Sequence, residues 1–134
     1  MSDPGEPVIQ VQPAPPAPGS SPAEWRVAWQ IENRGDRPLT LLAAWLPHGK
    51  LRAAERALEP PPRLQPGESV RLDLLAAFEE APGTVVENTF VILRALWGDE
   101  PWRIMVRLLI TTDDRGAPAN TVELMTVHPI GFSR

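Results

Sequence analysis

The chain is predicted to fold as an antiparallel all-β sandwich of about seven strands. Three observations carry this expectation. Trp25, Val27, Trp29 and Ile31 alternate with Arg26, Gln30 and Glu32, a period of two that marks a strand with one buried and one wet face. Short apolar runs recur along the chain, each closed by a turn rich in Gly, Pro, Asn or Asp. The 134 residues are 43% hydrophobic, enough for one core and one domain.

The elements follow in order. Residues 1–22 hold seven of the seventeen prolines and read as a Pro-rich flexible arm, because proline lacks a backbone donor and favours polyproline II. Within it, Val8-Ile9-Gln10-Val11 has the composition of an edge strand, and Pro13-Ala14-Pro15-Pro16 fits a PxxP pattern that any Pro/Ala-rich spacer also produces. The first clear strand, Trp25–Asn33, ends in Asn33-Arg34-Gly35-Asp36, a turn. Arg34-Gly35-Asp36 is also the tripeptide of some adhesion ligands, but a Gly flanked by charges is what a β-turn selects.

Leu39–Leu46 is apolar on both faces, with Leu39, Leu41, Ala43 and Trp45 on one and Leu42, Ala44 and Leu46 on the other. It reads as a central strand. Leu51–Leu58 contains good helix formers but runs into Pro60-Pro61-Pro62, so a short irregular crossover with one or two helical turns is expected. Pro66-Gly67 suits a type II turn. After it, Val70, Leu72, Leu74, Ala76 and Phe78 point inward and Arg71 and Asp73 outward. The remaining strands are Val85–Trp97, Trp102–Thr112 and Thr121–Val127. The predicted domain covers residues 23–128, and 129–134 form a tail.

Two segments carry a family resemblance. Trp29-Gln30-Ile31-Glu32-Asn33-Arg34-Gly35 is a W-x-x-x-N-x-G strand and turn, and Leu64-Gln65-Pro66-Gly67-Glu68-Ser69-Val70 is an L-x-P-G-E-x-V turn into a strand. Together they resemble bacterial immunoglobulin-like and fibronectin-like modules, and are similar to the four-tryptophan domain of autophagy receptors. The resemblance implies an immunoglobulin-like sandwich, and it specifies a fold rather than an activity.

Composition narrows the chemistry. The chain has no cysteine, hence no disulfide, thiolate nucleophile or cysteine zinc site. A net charge of −4 gives no general attraction to nucleic acid or anionic membranes. Met1–Glu6 has no basic start or apolar run, and no window approaches the roughly 20 apolar residues of a membrane helix; the expected location is the cytoplasm. His48 and His128 show no ligand spacing with carboxylates, the serines lie in tails or a turn, and no Gly-rich phosphate loop follows a strand. The expectation is a non-catalytic protein with neither cofactor nor metal.

The candidate site comes from the hairpin around Gly98-Asp99-Glu100-Pro101. A four-residue loop there would set Trp97 opposite Trp102, Ala95 opposite Ile104 and Leu93 opposite Val106, all core. The other face would gather Arg94, Arg103 and Arg107 with Met105 among apolar residues. Arginine and large apolar side chains are common interface anchors, so the leading expectation is an interaction or self-association module. Its partner is an unknown protein or a second copy of the chain, forming a homodimer. The alternative is a small-molecule or carbohydrate binder that uses exposed Trp97 and Trp102 as a stacking platform.

Overall fold

A computed structural model describes residues 5–130 of the chain. They form ten strands: β1 (Ile9–Pro13), β2 (Ala17–Pro18), β3 (Glu24–Asn33), β4 (Leu39–Pro47), β5 (Arg52–Ala57), β6 (Arg63–Leu64), β7 (Ser69–Ala77), β8 (Val85–Trp97), β9 (Glu100–Thr112) and β10 (Pro118–Pro129). All pairings are antiparallel, in the order β1-β3-β7-β5-β4-β8-β9-β10, with β2 on β3 and β6 on β4. The all-β antiparallel expectation holds, but the strand count is ten rather than about seven. The sheet wraps into a nearly closed, barrel-like arrangement. Its terminal strands β1 and β10 lie near each other, and Trp29 Nε1 on β3 donates to Asn120 Oδ1 on β10 at 3.0 Å.

The core is one continuous cluster that includes Trp29, Ile31, Leu39, Leu41, Leu93, Ile104 and Leu108. On β3 the alternation predicts the outcome: Trp25, Val27, Trp29 and Ile31 are buried, and Arg26 and Gln30 are exposed. β8, β9 and β10 lie where their apolar runs place them.

Three expectations are corrected. The segment Leu51–Leu58 is not a helical crossover, because Arg52–Ala57 forms β5. Pairing of Ala57 with Ala43 and Ala53 with Leu46 supplies backbone partners that outweigh local helix propensity. The described part of the arm, from residue 5 on, does not stand apart from the domain, and its Val8-Ile9-Gln10-Val11 run supplies the edge strand its composition suits: β1 pairs with β3 from Ile9↔Asn33 to Pro13↔Trp29, and Ala14 N donates to Ala28 O at 2.9 Å. Prolines flank this strand and cap its end, as suits an edge. On β4 a bulge between Leu41 and Ala43 shifts the side-chain phase by one residue. Leu39, Leu41, Ala44 and Leu46 therefore join the core, and Trp45, expected beside Leu41, turns to the outer face.

The two sequence motifs meet at one side chain. Asn33 is buried. Its Nδ2 donates to Arg37 O at 2.8 Å and to Leu64 O at 2.9 Å, and its Oδ1 accepts from Gly35 N at 2.9 Å. Its main chain is bonded to the Pro66-Gly67 turn through Asn33 N to Glu68 O and Gly67 N to Asn33 O. Asn33 thereby knits the W-x-x-x-N-x-G turn to the L-x-P-G-E turn. The same knot holds Arg34-Gly35-Asp36. Arg34 N donates to Val8 O, and a Cβ on Gly35 would lie 3.3 Å from Trp97 Nε1. At the β9–β10 turn, backbone N–H groups of Ala117 and Arg115 donate to Asp113 and hold its carboxyl below the usual carboxylate range.

Candidate functional site

The β8–β9 hairpin turns through two residues, Gly98 and Asp99, rather than four. Gly98 stands at φ 59 and Asp99 is not in the positive region, the combination of a type II′ turn with Gly first. The register is therefore Trp97↔Glu100, Ala95↔Trp102, Leu93↔Ile104, Ile92↔Met105 and Arg94↔Arg103. It differs from the expected register by two residues, so every side chain keeps its face, although the cross-strand partners change.

Trp97 and Trp102 meet diagonally and edge to face, with centroids 6.1 Å apart. They are 1% and 6% exposed and close one end of the core, as the core reading of the hairpin expects; the alternative of an exposed stacking platform is corrected. The Arg37 guanidinium lies 4.2 Å above the Trp97 ring and pairs with Glu100 at 3.3 Å, shutting that end from outside.

The outward face brings Arg94, Arg103, Arg107 and Met105 together, as the hairpin reading predicts, and adds residues that reading missed. Across β4, β8, β9 and β10 the side chains form rows. Ala43, Arg94, Arg103 and His128 make one; Trp45, Ile92, Met105 and Thr126 the next; Phe90, Arg107 and Leu124 a third. The middle row is apolar from Trp45 to Met105, and Leu124 is 52% exposed. Trp45 arrives through the β4 bulge, and Leu124 through a second bulge between Val122 and Leu124 on β10. Alternation cannot reveal either.

The charges around this strip are uneven. Arg94 Nη2 binds Glu55 Oε2 at 2.6 Å, and Arg107 Nε binds Glu123 Oε1 at 3.3 Å. Both pairs are about half exposed and contribute roughly 0–1 kcal/mol each. Arg103 stands between Arg94 and His128 and makes no ion pair among the described residues. A second positive group directly opposite a first is unfavourable, so this row would gain from an external carboxylate. His48 lies at the far end of β4, where its Nδ1 accepts from Lys50 N at 2.9 Å. His128 contacts Thr126 Oγ1 at 2.9 Å.

No protein-family model matches the chain, and no curated protein matches it. Among solved structures it is similar to a crystal structure described as an ApaA protein from Bordetella pertussis. The identity is 17%, over 92% of this chain and 92% of that one, with a TM-score of 0.33. A likeness this slight assigns neither fold family nor function.

Proposed function

We propose that this protein is a non-catalytic module of the immunoglobulin-like or fibronectin-like class that associates with a second copy of itself through the outward face of β4, β8, β9 and β10. The two motifs joined at Asn33 support the class. The observation that carries the function is the composition of the face: half-buried Trp45 and Met105 flank the buried Ile92, and Arg103, which makes no ion pair among the described residues, stands to one side. A twofold interface must be self-complementary. Here arginines and the carboxylates of Glu55 and Glu123 share one face, so a second copy can bring a carboxylate to Arg103 while the strips cover each other. The reading of the tryptophans as a ligand platform loses its support, because both rings are inside.

Light scattering tests this. The unmodified chain is expected to show the mass of a dimer, and the Arg94→Ser/Arg103→Ser/Arg107→Ser variant that of a monomer with unchanged circular dichroism. All three arginines lie on the outer surface, so the variant should fold. A monomeric unmodified chain would overturn self-association and leave the face to a different protein partner. A variant that stays dimeric would remove the face from the account.

A further inference from the structure

We propose that the seam between β5 and β7 is a second binding site, a groove that takes an extended acidic peptide from a partner protein as an added strand. This surface is separate from the arginine face, and its test is independent of self-association.

In an antiparallel strand, alternate residues turn both N–H and C=O to the same neighbour. Asn33 N donates to Glu68 O and Phe78 N to Ala23 O, so the even-numbered residues from Glu68 to Phe78 face β3. Ser69, Arg71, Asp73 and Leu75 consequently turn their main-chain groups toward β5. On that side, among the described residues, only Ala77 has a strand partner, Arg52. Arg56 confirms the direction, since its Nη1 reaches Asp73 O at 3.3 Å, a side chain standing where a strand would be. An unpaired strand edge of this kind is a template for strand addition.

The space beside the edge suits an extended chain. A cleft of about 290 Å³ has Leu41, Leu58, Val70 and Leu72 among its walls, with Arg56 and Arg71 at its rim. Past Arg56 a second hollow of about 360 Å³ continues between Ala53 and Leu75, with Arg26 beside it. Leu75 is 44% exposed there. An added strand would alternate its side chains between the apolar wall and the arginines.

The charge selects the occupant. Arg26 makes no ion pair among the described residues, and the Arg56 hydrogen bond goes to a carbonyl rather than a carboxylate. Arg71 is held by Asp73 at 3.1 Å, and Glu59 is the other carboxylate lining the first cleft. Two guanidinium groups are thus left to pair with carboxylates on the incoming strand.

The test uses the full chain and a fluorescent peptide of about eight residues, one edge strand in length, alternating glutamate and valine. Anisotropy is expected to show saturable binding, and the Arg71, Asp73 and Leu75 amides are expected to gain protection from hydrogen exchange. A matching lysine–valine peptide, and a glutamate–valine peptide with proline at its centre, should not bind. Arg26→Glu/Arg56→Glu should weaken binding by at least about tenfold, while Arg94→Ser/Arg103→Ser/Arg107→Ser should leave it intact. Absence of binding would overturn the proposal. So would binding unaffected by Arg26→Glu/Arg56→Glu, or protection that appears on β10 rather than β7.

Discussion

Asn33→Ala is expected to lower the stability of the protein by about 3–5 kcal/mol. The substitution deletes three hydrogen bonds and strands the carbonyls of Leu64 and Arg37 and the N–H of Gly35 in or near the core. Each orphaned buried group costs about 1–3 kcal/mol, less where water reaches it, as it partly does at Arg37 and Gly35. Against a total stability of about 5–15 kcal/mol, this leaves a marginal fold. Urea unfolding followed by tryptophan fluorescence should show a lowered midpoint at an unchanged slope. Asn33→Asp separates the donors from the shape. It keeps the acceptor for Gly35 but sets a buried carboxylate against two carbonyls, so at neutral pH it should be at least as damaging as alanine. The introduced carboxyl has a raised pKa in the folded state. Its penalty should therefore shrink as pH falls and the acid form regains one donor. An Asn33→Ala midpoint within error of the unmodified chain would show that the two turns are held by something other than this side chain.

Trp29→Ala is the second large effect, a loss of about 3–5 kcal/mol from a cavity at the centre of the core. Trp29 is fully buried, and it is also the link that draws the two ends of the sheet together, through Asn120. Trp29→Phe keeps most of the packing and removes the indole N–H, so it should cost about 1–2 kcal/mol. In a double-mutant cycle with Asn120→Ala, Trp29→Phe should show coupling of about 0.5–1.5 kcal/mol. Hydrogen exchange on β10 should quicken in Trp29→Phe, because the tie to β3 is gone. Strict additivity of the two substitutions would mean that the near-closure of the sheet does not depend on this bond.

What the amino-acid sequence makes legible here is whatever one strand decides for itself. The faces of β3 and β7 follow from a period of two, and β8 follows from its own apolar length. What escapes is whatever depends on a partner strand. The β5 segment carries alanine, glutamate and arginine, which favour helix in isolation, and only β4 makes it a strand. A bulge on β4 exchanges the roles of Trp45 and Ala44 without any mark in the alternation. The hairpin loop shortens from four residues to two because Gly98 can stand at positive φ, and the register moves with it. The arginine face is the same in both registers, because a shift of two preserves the side of the sheet. Its apolar members from β4 and β10, and the carboxylates of Glu55 and Glu123, were hidden until the strands were set side by side. The motifs around Asn33 and Gly67 were both visible, but not that a single amide joins them.

The face of β4, β8, β9 and β10 is expected to be covered by a second copy. The chain has no cysteine, so Thr126→Cys gives one attachment point on that face, in the row of Met105 and Ile92. With a spin label there, a short, narrow label-to-label distance between copies is expected, and no such signal from a label at Gln30→Cys, which is exposed on β3 and outside that face. A Thr126→Cys sample with no dipolar coupling at any protein concentration would contradict it.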